Sequence, residues 1–404
     1  MKKLKITKEE KITALDTETK KQEEIVVNTE ETKPKERTIF TVTKEYFNSY
    51  KHKSPWFFVV MSIYLLFYIF IVLVSSIRVP YTRLTPGVIE AAVSQNQSKS
   101  DYVFQKDYLK DYKYANIFTV AVYQKRRISV IDYWLTKLNR EHYGELIPLN
   151  ETGGNYLPDD EDFKESRLMM QTSLEASVVV AFREASKKDP KIMIDYSFLG
   201  LEIQGCYNKE LNNFPQGHVI QKLDGELLTS LKHFSNIVSS KNKSEFDVMI
   251  LDPQKNVTYE AKIKCDSNRK FGLYLAEKVK INKTVPEVTI KKNLSSGGPS
   301  GGMMQTMALY QALLRSDKLN KIRIAGSGTI SLDGTVGNIG GVKLKVITCS
   351  YNNCQYFLSC GNGTNPNFKA AKEEATRLKT KMIVKDIKNF SDVVKFIDEL
   401  SEGK

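Results

Sequence analysis

From Ser54 to Ile77 the chain carries no charged residue, a run of 24 positions whose centre reads Trp56-Phe57-Phe58-Val59-Val60-Met61-Ser62-Ile63-Tyr64-Leu65-Leu66-Phe67-Tyr68-Ile69-Phe70-Ile71-Val72-Leu73-Val74. About 20 consecutive apolar residues cross the hydrocarbon core of a bilayer. A buried helix of a soluble domain is seldom apolar on every side over such a length. The stretch therefore predicts one transmembrane helix over 54–77, with the lipid bilayer as its partner. Lys35, Arg37, Lys44, Lys51, His52 and Lys53 precede it, whereas Arg78 and Arg83 follow it. That excess favours an N-terminus on the cytoplasmic side, and Trp56 suits an interfacial belt. No small-residue cleavage site follows the run, so it reads as an uncleaved anchor. The expected location is the cell membrane, single-pass, with everything beyond residue 79 outside the cytoplasm.

The anchor divides the chain unequally. Residues 1–53 are polar, with Lys and Glu mixed, and read as a disordered cytoplasmic arm. The 404-residue chain is 41% hydrophobic, so most of the chain beyond the anchor should fold. The net charge of +13 is spread along the chain and interleaved with acids. Without a basic block, it argues for membrane proximity and against nucleic acid. The five cysteines (Cys206, Cys265, Cys349, Cys354, Cys360) make no CxxC pair, and no His-Glu spacing supports a metal site. Cys349, Cys354 and Cys360 leave two readings open, one disulfide in an oxidising compartment or ordinary buried thiols.

Residues 78–190 read as a membrane-proximal α/β segment. It has a strand at Ile117–Tyr123, a short helix at Ile128–Leu138, an acidic loop and helix start at Pro158–Asp162, and a long helix over 163–185. Its acids suit a helix cap and a solvated face. Residues 191–280 have a distinct rhythm. An apolar-Gly-apolar turn at Ser197–Ile203 feeds a strand, and Leu223-Asp224-Gly225 makes a tight turn. A helix covers Ser230–Ser239, and alternating strands lie at Phe246–Leu251 and Val257–Ile263. That order resembles a PDZ domain, in which Leu199-Gly200-Leu201 would form the peptide carboxylate-binding loop and an extended peptide would add as a strand. The loop is poorer in glycine than is usual, and His218 stands where an Asp is common. A small β-rich domain that only packs on its neighbours is the plainer alternative.

Residues 281–404 hold the chemistry. A strand over Val285–Ile290, suited to pairing with an extended substrate, leads to Gly297-Gly298-Pro299-Ser300-Gly301-Gly302. A helical pattern follows at Met303, Met304, Met307, Ala308, Leu309 and Leu313. A serine framed by glycines at a helix N-terminus suits a nucleophile beside an oxyanion hole, a phosphate loop, or a plain turn. The phosphate loop lacks its lysine and Ser/Thr, and no dinucleotide fingerprint is present. No histidine follows residue 233, so a histidine base would have to be His218 or His233 from another domain. Lys343 and Lys345 open a glycine-preceded helix. A lysine serves as a base when burial brings its pKa from about 10.4 towards ~7–8. Beyond them the pattern gives a charged helix over Asn367–Lys379, a strand at Met382–Val384 and a terminal helix from Phe390 to Leu400 capped by Ser391.

Four blocks fall in order: Gly298-Pro299-Ser300-Gly301-Gly302, Ala325-Gly326-Ser327-Gly328-Thr329-Ile330, Asp333-Gly334-Thr335-Val336, and Gly340-Gly341-Val342-Lys343-Leu344-Lys345. Together they resemble the proteolytic domain of Lon proteases. With the anchor, the PDZ-like region and the segments Arg78–Tyr81 and Leu84–Gly87, residues 55–404 look like the SepM/YlbL-type membrane-anchored PDZ proteases of bacteria. The resemblance implies a Ser300 nucleophile, a Lys345 general base and a supporting hydroxyl at Ser327, with the backbone at Gly298 and Gly301 framing the oxyanion. Lys343 is then a bystander. Gly301 stands where the family more often has Ala, and Gly297 where ATPase-linked Lon enzymes often carry an acid. No ATPase domain is present, so ATP-independent serine endopeptidase activity is implied, without a cofactor or a metal. The partners would be peptide or protein substrates, and Lon-type domains often form rings of identical copies. The expected fold is α+β and multidomain: transmembrane helix (54–77), membrane-proximal segment (78–190), PDZ-like β-rich domain (191–280) and Lon-like α/β domain (281–404). A non-catalytic, membrane-anchored peptide-binding scaffold is the competing reading.

Overall fold

The computed structural model describes residues 39–50, 54–94, 100–139, 144–149, 159–291, 297–361 and 366–402. The chain divides into two units, residues 1–73 and 74–404. The first holds helix α1 (Ile39–Tyr50) and most of α2 (Pro55–Ser76). Helix α1 corrects the expectation of a disordered arm up to residue 53. Ile39, Val42, Tyr46 and Tyr50 repeat at helical spacing without Gly or Pro between them; residues 1–38 lie outside the described residues. Helix α2 is long and apolar enough to cross a membrane, and none of its side chains is buried against the protein.

The second unit is built on two sheets. One has the order β16-β15-β12-β3-β1-β4, from β1 (Tyr81–Ala91), β3 (Ile117–Lys125), β4 (Glu145–Pro148), β12 (Ile324–Ser327), β15 (Tyr356–Cys360) and β16 (Ile383–Ile387). Residues 78–190, expected as a segment of their own, thus share a sheet with the C-terminal residues. Strands β3, β12, β15 and β16 run parallel. Such strands are covered on both faces, which is why Ile324, Ala325, Phe357 and Leu358 are all fully buried. The sheet is crossed by α6 (Gly302–Leu313), buried along its whole length, and by α7 (Val342–Tyr351) and α8 (Pro366–Arg377). Between β12 and α7, β13 (Thr329–Ile330) and β14 (Val336–Gly337) form a short antiparallel pair. Helix α3 (Val130–Leu138) is capped by Ser129, whose side chain accepts the Asp132 N–H.

Helix α4 (Asp159–Ser186) begins earlier than expected. Its acids occupy the first turn, where the positive end of the helix dipole favours them. The terminal helix α9 (Phe390–Ser401) is capped by Asn389 in a capping box with Asp392, and not by Ser391. Asn389 is the residue with extended backbone, so its side chain can turn back onto the first-turn N–H groups.

The other sheet has the order β10-β5-β6-β8-β9, with β7 (Glu226–Leu227) added to β6. It comprises β5 (Met193–Cys206), β6 (Val219–Leu223), β8 (Glu245–Asp252), β9 (Val257–Lys264) and β10 (Leu273–Val285), with α5 (Leu231–Ser240) between β7 and β8. Leu199-Gly200-Leu201, expected as a ligand-binding loop, lies inside the 14-residue strand β5. Leu201 faces Ile220 of β6 on one side and Glu277 of β10 on the other. A Cβ at Gly200 would lie 2.3 Å from the Ile220 carbonyl oxygen. The glycine marks a close approach of two strands and not a turn.

The expected strand over Val285–Ile290 is likewise two elements. Strand β10 ends at Val285, and β11 (Val288–Ile290) pairs with β2 (Tyr102–Phe104). Pro286 has no N–H and breaks the ladder. One edge of β11 therefore meets β2.

Candidate active site

Ser300 sits in a single 3₁₀ turn, Pro299–Gly301, that runs directly into α6. Three points on α4 hold this turn. The Gly298 N–H donates to the Ser166 carbonyl at 2.9 Å. The Ser173 hydroxyl donates to the Pro299 carbonyl at 3.2 Å, and the Ser177 hydroxyl to the Gly302 carbonyl at 3.1 Å. The packing is close. A Cβ at Gly302 would lie 2.6 Å from Ser173 Oγ and 2.8 Å from Ile330 Cγ2, so only glycine lets α6 start there.

Opposite the turn, Lys345 is the fourth residue of α7. Its backbone N–H donates to the Gly341 carbonyl at 3.1 Å, and the helix aims its side chain inward, leaving the residue 3% exposed. Lys345 Nζ lies 2.8 Å from Ser300 Oγ and 2.7 Å from Ser327 Oγ. The Ser327 hydroxyl donates in turn to the Ser300 carbonyl oxygen at 2.9 Å, and the Gly328 N–H donates to that same oxygen at 3.0 Å. Ser300, Ser327 and Lys345 thus form one connected network. Ser300 remains half-buried while its two partners are buried.

Burial is the main force on the lysine. It lowers the Lys345 pKa to about 8, while the Cys360 and Cys349 thiols pull weakly the other way. Burial also pushes the Cys360 thiol up to about 11, so it stays neutral and supplies no counter-ion. A neutral lysine has one lone pair and two N–H bonds. The lone pair suits the Ser300 proton, and one N–H suits Ser327 Oγ.

The other sequence candidates separate clearly. Lys343, two residues earlier on α7, is only half-buried; residues two apart on a helix face different directions. His218 and His233 bond Tyr259 and Thr229 in the β-rich region. The Gly298 N–H is committed to Ser166, so it is not an oxyanion donor here and the expectation for it is corrected. Gly301 does occupy the turn beside Ser300, where a Cβ would come within 3.2 Å of Thr119 Cγ2. Leu199, Gly200 and Leu201 are strand-interior residues. The five cysteines are buried free thiols.

Ser166, Ser173 and Ser177 were not singled out from the sequence. Their spacing of seven and then four places them on one helical face, but small polar residues on a helix carry no chemistry by themselves. Beside the turn opens a cavity of about 810 Å³, bounded by Ser173, Pro299 and Ile330 on one side and by Tyr196, Phe198 and Leu275 on the other.

Among curated proteins, none matches the chain. The family model for the Lon protease (S16) C-terminal proteolytic domain matches residues 246–398, a span that begins inside β8 and includes Ser300, Ser327 and Lys345, and this match supports a Lon-type serine-peptidase domain there.

Proposed function

We propose that the chain is an ATP-independent, membrane-anchored serine endopeptidase that works through a Ser300–Lys345 dyad. The observation that carries this reading is the 2.8 Å contact between Ser300 Oγ and a buried lysine whose pKa is brought to about 8. At neutral pH an appreciable fraction of such a lysine is unprotonated. Neutral Lys345 takes the Ser300 proton as Oγ attacks the peptide carbonyl. The resulting ammonium is held by Ser327 Oγ and then gives its proton to the leaving amine. Water repeats the cycle to release the acyl group. Ser327 acts as a positioning residue, since it fixes Nζ while tying down the Ser300 carbonyl. The oxyanion is met by the Ser300 and Gly301 backbone N–H groups at the head of the helical segment, since Pro299 has none, the Gly302 N–H donates to the Pro299 carbonyl and the Met303 N–H to the Gly328 carbonyl.

The cavity beside Pro299 gives a peptide chain access from the β-rich region, and its mixed lining suits a main chain with apolar side chains. Residues 191–280 serve as a PDZ-like wall of that cleft. The basic flank before α2 favours an N-terminus in the cytoplasm and a peptidase domain outside it, acting on secreted or membrane-associated peptides and proteins.

The test uses the full chain in detergent. A fluorophosphonate probe is expected to label the native chain, and Ser300→Ala is expected to lose both labelling and proteolysis. Proteolysis retained by purified Ser300→Ala protein would refute the reading.

A further inference from the structure

Helix α3 presents an apolar face that the protein does not cover. Trp134 is 58% exposed and Leu138 79% exposed. At positions i and i+4 they lie on one side of the helix. Its one acid, Asp132, is turned away from that side and neutralised, with Arg83 at 2.9 Å and Lys125 at 2.8 Å. Thr136 faces inward and is buried. Lys137, on the outer side, lies 4.8 Å over the Tyr133 ring. The outward residues of α3 itself are therefore Trp, Leu and Lys.

The place of this helix in the chain decides what can cover it. Helix α2 has 22 residues and is about 33 Å long, close to the ~30 Å hydrocarbon thickness it would cross. There is no slack, so Ile77, the next residue, must emerge at the membrane surface. The Ile77 carbonyl accepts the Val130 N–H at 3.1 Å. Arg78 bridges to Ser129, the cap of the same helix. The first residue of α3 is thus fastened to the residue that leaves the bilayer, and Trp134 lies only ~6 Å further along the helix axis. The chain has two tryptophans. Trp56 stands at the start of α2 and Trp134 on the helix fastened to Ile77, and tryptophan is enriched in interfacial belts.

We propose that α3 lies in the lipid headgroup layer on the side of the membrane where α2 ends, with Trp134 and Leu138 inserted and Lys137 reaching towards phosphate. This rests on α2 spanning the membrane. So short a helix would bind lipid weakly if free, but the anchor already holds it at the surface.

The test uses the full chain in phosphatidylcholine nanodiscs. Trp56→Phe leaves Trp134 as the single tryptophan, and Trp134→Phe leaves Trp56. Lipids brominated high or deep on the acyl chain serve as quenchers. Trp134 is expected to emit in the blue and to be quenched about twofold or more by the shallow bromine, and less by the deep one. Trp134 unquenched at both depths while Trp56 is quenched overturns the proposal and leaves the anchor intact. A blue but unquenched Trp134 overturns it too, because protein then covers the face. If Trp56 is also unquenched, α2 does not span the bilayer and the proposal falls with it. Leu138→Asp should move the Trp134 emission back towards red; no change would also count against insertion.

Discussion

Lys278, which is half-buried, and Lys345, which is buried, have surroundings that send them opposite ways. Lys278 of β10 lies 3.0 Å from Glu175 of α4 and 3.1 Å from Glu202 of β5. Burial alone would lower its pKa, but the two carboxylates outweigh burial and raise it. Burial in turn raises the pKa of both glutamates, against the pull of the lysine. Lys345 is more deeply enclosed, and the titratable groups acting on it are two thiols, so its pKa falls to about 8. The first lysine is a fixed charge that ties the long helix to the β-rich sheet. The second is the base of the proposed mechanism. What reverses the sign of the shift is the presence of a nearby acid, with the deeper burial of Lys345 acting in the same direction as its lack of one.

Replacing each lysine by methionine should break the comparison in opposite directions. Lys345→Met is expected to abolish peptide cleavage, by about 10⁴-fold or more if the dyad acts as a unit. It should also raise the melting temperature at pH 7. A folded-state pKa held below its ordinary value means that the native state disfavours the charged lysine. Stability should therefore rise as pH climbs from about 8 to 10.5, and removing the lysine should recover up to ~3 kcal/mol below that window. A lower melting temperature for Lys345→Met at pH 7 would contradict this.

Lys278→Met should do the reverse. It leaves two buried carboxylates facing each other and is expected to destabilise by about 3–5 kcal/mol, read by urea denaturation. Adding Glu175→Gln and Glu202→Gln should restore much of the loss.

Cys360→Asp would give Lys345 the acid it lacks. A restored ammonium is expected to cost about 10²-fold in kcat/KM at pH 7.5, with the rising limb of the pH profile moved upward from about 8. An unmoved limb would mean that Lys345 is not the titrating base.

A smaller effect belongs to Ser327→Ala, at about tenfold in kcat with little change in KM. Lys343→Ala should stay within about twofold, as expected of a surface change remote from the dyad.

The pairing of Ser300 with Lys345 is implied by the four blocks that resemble Lon proteases, and the structure brings the two side chains within 2.8 Å; each part sits in a local frame. A glycine-framed turn fixes Ser300, and a helix opening fixes Lys345. The apolar run of α2 and the patterned helices were legible for the same reason. The misreadings came where a neighbour in space sets the conformation. Gly200 has the local signature of a turn, but it is there because β6 passes close. Pro286 split one expected strand, and β2 supplied a partner from about 180 residues earlier. Glu175, Glu202 and Lys278 belong to α4, β5 and β10, and nothing local links them. The serines of α4 that hold the nucleophile turn are equally silent, because their meaning lies in carbonyls of a distant loop.

Strand β10 fills the outer edge of β5 along nearly its whole length, from Leu273 opposite Cys206 to Val285 opposite Met193. A free peptide seeking that edge would compete with a strand of the same chain, present at an effective concentration in the millimolar range or above. Ordinary peptides would lose. A peptide that won would pull on β10, which runs on through β11 to the turn bearing Ser300.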